Sequence, residues 1–130
     1  MKYSLLKIAA FIFSIAILGC DPVYDVDYQV WNASGNSITI FVDHSGERKD
    51  TNIISDDTGL IVLNASSICC TTKEYLGDLN MLPFEISIVN SGGATYNNDA
   101  ADISIWRKVY PDKAGGHGTV LLTVRPEDFD

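Results

Sequence analysis

The sequence predicts an all-β protein folded as a single antiparallel β-sandwich of about seven strands. Short segments in which apolar and polar residues alternate recur along the chain. Clusters of Gly, Asn, Asp and Ser separate these segments, as turns do between the strands of a sandwich. At most two helical turns are expected. The Cys…Trp…Cys spacing of immunoglobulin domains is absent, so "immunoglobulin-like" describes the architecture alone, and a small open barrel is the alternative.

The alternation places the strands in order along the chain. Trp31 closes a short first strand, and the turn residues from Asn32 to Asn36 follow it. The next strand is rich in β-branched residues, which suit a half-buried sheet. Pro126 limits the last strand. The predicted strands are 28–31, 37–43, 51–54 (an edge strand), 60–63, 84–89, 102–110 and 119–124, with a further extended stretch at 66–71.

One short helix is predicted after residue 70. Thr71 and Glu74 match a capping box, in which each side chain binds a free backbone amide at the start of a helix. Gly77 interrupts this helix, and Pro83 stops it. The polar segments 44–50 and 111–118 are predicted to be loops.

The N-terminus has the layout of an export signal. Lys2 and Lys7 are followed by the apolar run 8–18, which is too short to span a bilayer and matches a signal-peptide core. The run ends in Ile17-Leu18-Gly19-Cys20. This pattern resembles the lipobox of bacterial lipoproteins, although Leu18 stands where a small residue is commoner. The resemblance implies cleavage between Gly19 and Cys20 and attachment of acyl chains such as palmitate to Cys20.

The resemblance covers residues 1–20 alone and, together with the strand pattern, divides the chain into a signal peptide (1–19), a lipidated Cys20 with a short tether (20–27), and a β-sandwich domain (28–130). It implies a bacterial cell envelope protein anchored by the lipid on Cys20. We expect the outer membrane rather than the inner one, and the sequence does not indicate which leaflet. In overall layout the chain is similar to the small β-sandwich lipoproteins of Gram-negative bacteria, many of which have no assigned activity.

The charge of the chain excludes one class of partner. The formal net charge is −8, and it becomes −10 once Lys2 and Lys7 leave with the signal peptide. Binding to nucleic acid through phosphates requires a basic patch, so we expect no nucleic acid partner. Anionic lipid headgroups repel such a domain, so we expect it to contact the membrane through its lipid.

The two cysteines after Cys20 are adjacent in the sequence. Neighbouring residues of a strand point to opposite faces, so Cys69 and Cys70 cannot form a disulfide across the core. Small apolar side chains that are at least half-buried are the simplest interpretation. A strained vicinal disulfide and an intermolecular bridge are the alternatives.

We find no catalytic residues, metal site or cofactor motif to predict. Asp43-His44-Ser45 contains the residue types of a hydrolytic triad, but neighbours in sequence do not normally point at one another. His44, His117 and the two cysteines fit no known zinc spacing. Oxygen ligands for calcium cluster in loops without the EF-hand spacing, at 56–57, 97–99 and 102.

Trp106 is the candidate recognition residue. The alternation places it opposite Ile103 and Ile105, although the size of its ring favours the core. The pattern therefore favours a non-enzymatic, lipid-anchored protein that binds a protein or glycan of the envelope. An acidic inhibitor or accessory lipoprotein of a basic envelope enzyme is the alternative, and a small hydrolase is the least favoured.

Overall fold

The computed structural model describes residues 23–68, 70–113 and 115–129, with the backbone alone at 62–68. Within these residues seven strands and one short α-helix, α1 (Thr72–Asp78), are formed. Two 3-10 turns cover Ile103–Ile105 and Pro126–Phe129. The strands are β1 (Val23–Asn32), β2 (Ile38–His44), β3 (Glu47–Ile53), β4 (Thr58–Ile68), β5 (Glu85–Asn90), β6 (Arg107–Val109) and β7 (His117–Val124).

The strands form two sheets, which confirms the predicted all-β sandwich. Sheet A has the order β4-β1-β7-β6, and sheet B has the order β3-β2-β5. The pairs β1–β4, β6–β7, β2–β3 and β2–β5 are antiparallel. The pair β1–β7 is parallel and brings the two ends of the described chain side by side in the middle of sheet A.

Alternate residues of the strands fill the core between the sheets. In β1, Val26, Tyr28 and Val30 are buried, and in β7 every second residue from Gly118 to Val124 is buried. This is the period of two that a sheet with one covered face requires. Sheet B contributes Ile38, Ile40, Val42, Ile53 and Ile88 from the opposite side of the core.

Helix α1 covers one end of sheet A. The predicted capping box is present, since Thr71 Oγ1 accepts from Glu74 N and Glu74 Oε2 accepts from Thr71 N at 2.8 Å. Thr72 Oγ1 accepts from the backbone N–H of Asp25 in β1, at 3.0 Å. The phenol oxygens of Tyr75 in α1 and Tyr28 in β1 lie 2.6 Å apart. These contacts bind the helix to the first strand.

A glycine in β7 gives α1 the space to pack. A Cβ placed on Gly118 would lie 2.8 Å from Leu76 Cδ1 and 2.8 Å from Thr72 Cγ2, both side chains of α1. Atoms of a folded protein do not approach so closely without a shift, so the position requires the smallest residue.

Several segments differ from the prediction. Val23–Asp27, expected as tether, is the first half of β1 and pairs with both β4 and β7. Glu47–Asp50, expected as loop, belongs to β3 and is joined to β2 by a two-residue turn. Ser45 and Gly46 form this turn with φ of 56° and 82°, the left-handed pair that suits the twist of a hairpin. The predicted strand 102–110 is reduced to a 3-10 turn and the three residues of β6.

Asn32 connects the end of β1 to the loops beside it. Its side-chain Nδ2 donates to the carbonyls of Asn36, Ile53 and Ile54 at 2.7, 3.0 and 3.1 Å. Its Oδ1 accepts from the N–H and the hydroxyl of Ser34 at 3.1 and 2.6 Å. The residue is fully buried, so these bonds replace all of its contact with water. They fix the backbone at the end of β1, next to Trp31.

Candidate functional site

Trp106 does not carry an exposed recognition patch. Its side chain is 4% exposed, and its indole N–H donates to the carbonyl of Ala100 at 2.9 Å. Its ring meets that of Phe84 edge-on, with centroids 6.5 Å apart, and Phe84 contacts Tyr28 in the same way at 5.0 Å. Trp106 thus belongs to the core, as its size favours, and the recognition role predicted for it is wrong.

The exposed tryptophan is Trp31, on the outer face of sheet A. It is 43% exposed, whereas its neighbours Val30 and Asn32 are buried. The side chains around it form an open cleft of about 340 Å³. We call the residues that line this cleft the Trp31 patch: Trp31, Ile105, Arg107, Leu121, Thr123 and Arg125.

Strand register brings the Trp31 patch together. Trp31 pairs with Thr123 across β1 and β7, and Leu121 pairs with Arg107 across β7 and β6. Residues that face each other in register point to the same side of a sheet. Ile105 lies just before β6 and Arg125 just after β7, and they close the cleft at its ends.

Sequence reasoning missed Trp31 although the signal was present. Tyr28 and Val30 are core residues of the first strand, and strict alternation from them directs Trp31 outward. Ile105 was expected on an inner face with Ile103. It is 39% exposed because the chain forms a 3-10 turn there instead of a strand.

The patch carries positive charge on an acidic protein. The chain has three arginines, and two of them, Arg107 and Arg125, line the cleft. Among the described residues the guanidinium groups of Arg107 and Arg125 have no ion-pair partner, whereas that of Arg48 pairs with Asp50 at 3.4 Å. The backbone N–H of Arg125 donates to Asp128 Oδ2 at 2.7 Å. Two guanidinium groups are therefore available to a ligand beside the apolar side chains of the cleft.

The same face carries a second polar group near the start of β1. His117 Nδ1 lies 3.1 Å from Asp25 Oδ2, and its Nε2 lies 3.0 Å from Asp27 Oδ2. We call these three residues the His117 cluster. Both ring nitrogens donate only when the imidazole is protonated. The hydrogen bond to Asp25, together with the charges of both carboxylates, raises the pKa of His117 above its ordinary value.

The His117 cluster lies at the opposite end of the face from the Trp31 patch. Trp31 lies six positions after Asp25 in β1, which corresponds to about 20 Å of strand. His117 was predicted to lie in a flexible loop, but it is the first residue of β7. The outer face of sheet A thus has an acidic end and a cationic, apolar end.

The other sequence candidates do not assemble. Asp43 Oδ1 accepts from the backbone N–H of Gly46 at 3.1 Å, and His44 Nδ1 lies 3.1 Å from the carbonyl of Pro83. These are turn contacts rather than those of a triad. His44 lies in sheet B and His117 in sheet A, and the two histidines have separate partners. The described part of the chain holds no group of three or more His, Cys, Asp or Glu side chains that could bind a metal ion.

The acidic loop residues considered for calcium act as turn caps. Asp57 Oδ1 accepts from Thr58 N at 2.8 Å, and Asp99 Oδ1 accepts from Ala101 N at 3.0 Å. Asp102 Oδ1 accepts from Ser104 N at 2.9 Å at the start of a 3-10 turn. Hydrogen bonding to the backbone and hydroxyl of Ser104 lowers the pKa of Asp102.

A smaller acidic cluster lies at one end of sheet B. Asp43 and Glu85 are exposed and face each other across β2 and β5. They line an open cleft of about 240 Å³ with Phe41, over whose ring Arg48 lies at 4.6 Å from the centroid. Like charges directly opposite repel, but Arg48 faces Asp43 from the other side, across β2 and β3, and offsets part of this repulsion.

Several predicted positions lie outside the described residues. They include Gly19 and Cys20 of the lipobox, and Cys69 of the adjacent pair. Cys70 is half-buried and lines a shallow cleft with Tyr75, Leu79 and Met81. Among the helices that the structure describes, none is long and apolar enough to cross a bilayer.

Comparisons with known proteins give no match. No family model, no curated protein sequence and no solved structure matches this chain.

Proposed function

We propose that this chain is a non-enzymatic, lipid-anchored protein of the bacterial envelope that binds another protein through the outer face of sheet A. The observation that carries the proposal is the exposure of Trp31 beside Ile105, Leu121 and two arginines that have no ion-pair partner among the described residues. Tryptophan and arginine are the residues most enriched among the energetic anchors of protein interfaces. A cleft between them offers a partner side chain a pocket to fill.

The aliphatic residues of this face favour a protein over a glycan. Ile105 and Leu121 line the cleft, and Val109 is exposed further along the same face. Aliphatic side chains give sugar hydroxyls nothing to bind, whereas they match the apolar centre of a protein interface. A glycan stacked on the indole of Trp31 is the outcome that the experiment below must distinguish.

The proposed anchor places this face close to the membrane. Only Asp21 and Pro22 separate Cys20 from the start of β1 at Val23. Even a fully extended chain spans at most about 11 Å over that interval. A lipid on Cys20 would hold the His117 cluster near the bilayer and the Trp31 patch about 20 Å further along β1.

The anchor is tested by labelling with radioactive palmitate. The wild-type protein should incorporate label and remain with membranes, and Cys20→Ala should do neither. Cys70→Ala is the matched control, because it removes a cysteine outside the lipobox. Label retained in Cys20→Ala would contradict the anchor while leaving the binding face untouched.

The binding face is tested by photo-crosslinking in intact cells of the native host. A photoreactive residue at Thr123 lies within the Trp31 patch, and one at Ser87 lies on the exposed face of sheet B. We expect a discrete protein adduct from position 123 that Trp31→Ala abolishes, and a weaker or different pattern from position 87. Equal adducts from both positions, or none from position 123, would refute this function.

The acidic end of sheet B supports a second candidate function. Asp43 and Glu85 are exposed side by side. A cationic partner bound there would reduce the repulsion between their carboxylates. An inhibitor or accessory protein of a basic cell-wall hydrolase could use this end. A complex with a cationic hydrolase that dissociates as salt rises, and that Asp43→Asn with Glu85→Gln removes, would favour this candidate.

A further inference from the structure

The Trp31 patch combines two kinds of chemistry that specify its partner. The floor is apolar, formed by Trp31, Ile105 and Leu121. Arg107 and Arg125 stand at its border, and neither has an ion-pair partner among the described residues. Building on the proposed function, we infer that the partner presents a segment with carboxylate side chains for Arg107 and Arg125 and apolar side chains for the floor.

The geometry of arginine makes carboxylates the natural ligands. A guanidinium group offers five N–H donors in a rigid fork that matches the two oxygens of Asp or Glu. Such paired, charge-assisted hydrogen bonds are about twice as strong as neutral ones. In the part of the chain that the structure describes, neither guanidinium group has a carboxylate partner, so the binding partner supplies it.

The charge of the domain makes this recognition local. The formal net charge, −8 for the full chain and −10 without Lys2 and Lys7, repels an acidic partner at long range. At physiological ionic strength, however, exposed charges are screened beyond about 8 Å, so contacts within the cleft decide the affinity. The acidic His117 cluster lies about 20 Å away, so it repels only carboxylates of a segment that extends along the face to within a Debye length of it.

Substitution of the arginines tests the inference in the crosslinking assay at Thr123. Arg107→Gln with Arg125→Gln should lower the adduct yield at least tenfold, because two charged hydrogen-bond donors are lost. Arg48→Gln removes the third arginine, which pairs with Asp50 on sheet B, and should leave the yield unchanged. Circular dichroism should show the same fold for both variants, since all three side chains are exposed.

Mapping of the adduct identifies the partner segment. Mass spectrometry should place the crosslink in a protein within a few residues of Asp or Glu, and replacement of those acids by Asn or Gln should reproduce the loss seen with the arginine variants. A yield that falls with Trp31→Ala but not with the arginine pair would overturn the carboxylate inference and leave the binding face intact. An adduct that resists protease and is removed by glycosidase would overturn the protein partner, and no adduct at all would overturn both proposals.

Discussion

Trp31 and Asn32 are adjacent in β1 and point to opposite sides of sheet A, one 43% exposed and the other fully buried. The buried side-chain amide of Asn32 binds the loops beside the end of β1 and so fixes the backbone there. The exposed indole of Trp31 is attached to this fixed backbone. Substitution of Asn32 should therefore lower the stability of the fold, whereas substitution of Trp31 should weaken the binding of the partner.

Substitution of Asn32 should unfold the protein more readily. In Asn32→Ala the carbonyl of Ile53 loses a donor in a buried site, and the hydroxyl of Ser34 loses one acceptor. The carbonyls of Asn36 and Ile54 keep Ser34 Oγ and the Asp57 N–H as donors. Each unsatisfied buried group costs about 1–3 kcal/mol, and partial relaxation should leave a total loss of about 3 kcal/mol in the free energy of unfolding. Urea denaturation followed by circular dichroism measures this loss.

The variant Asn32→Asp sharpens that prediction. It has nearly the same shape but directs a carboxylate oxygen at three carbonyls, so it should be no more stable than the alanine variant at neutral pH. Asn98→Ala is the control, because its exposed amide makes a surface contact with Asp128 and should cost less than about 0.5 kcal/mol. Equal stability of the Asn32 and Asn98 variants would show that the buried amide does not hold these loops.

The two tryptophans should differ in fluorescence and in their effect on stability. Trp31→Phe leaves the buried Trp106, whose emission should be blue-shifted and protected from acrylamide. Trp106→Phe leaves the exposed Trp31, which should be quenched readily. Because Trp106→Phe also removes the donor to Ala100 O, it should lower the free energy of unfolding by about 2 kcal/mol, and Trp31→Phe by less than about 1 kcal/mol. Similar quenching of the two variants would contradict the assigned exposures.

The sandwich was predictable because alternation determines which residues a sheet buries. Strands β2, β5 and β7 have β-branched, alternating sequences, and the structure confirms them. The capping box at Thr71 and Glu74 was equally readable, because it depends on local spacing alone. Such features need no knowledge of the partner strand.

The errors fall where distant contacts override local preference. Asp25 and Asp27 disfavour a strand by composition, but β1 continues through them because His117 of β7 binds both carboxylates. Trp106 was placed by extending a period of two across Ile103–Ile105, where the chain turns. The Trp31 patch depends on the parallel pairing of β1 with β7. This pairing joins strands far apart in the sequence, so local sequence patterns do not predict it.

Addition of a single methyl group should separate α1 from sheet A. Gly118→Ala places a Cβ against Leu76 and Thr72 of α1, so the helix must shift and the free energy of unfolding should fall by about 1–3 kcal/mol. Gly77→Ala is the matched control within α1, where a Cβ meets nothing within 4 Å. It should stabilise the protein by about 0.5–1 kcal/mol, because alanine favours a helix over glycine. Thermal denaturation compares the two, and a stabilising Gly118→Ala would contradict the packing of α1.

The stability of the domain should decrease as the pH rises from 6 to 8. The pKa of His117 is raised in the folded state by Asp25 and Asp27, above the ordinary value of 6.5 that the unfolded chain retains. The stabilisation is therefore complete below about pH 6.5 and is lost as the pH rises through the higher folded value. Since the cluster is half-exposed, the change should be about 1 kcal/mol or less.

Variants of the two histidines isolate this effect. His117→Gln should flatten the pH dependence of the free energy of unfolding between pH 6 and 8, because its amide does not titrate. His44→Gln serves as the control, since His44 contacts the carbonyl of Pro83 rather than a carboxylate, and it should retain the slope of the wild type. Raising the salt concentration should shrink the slope in the wild type by screening the ion pairs. A slope that His44→Gln removes and His117→Gln preserves would show that the imidazole of His117 is not held between the two aspartates.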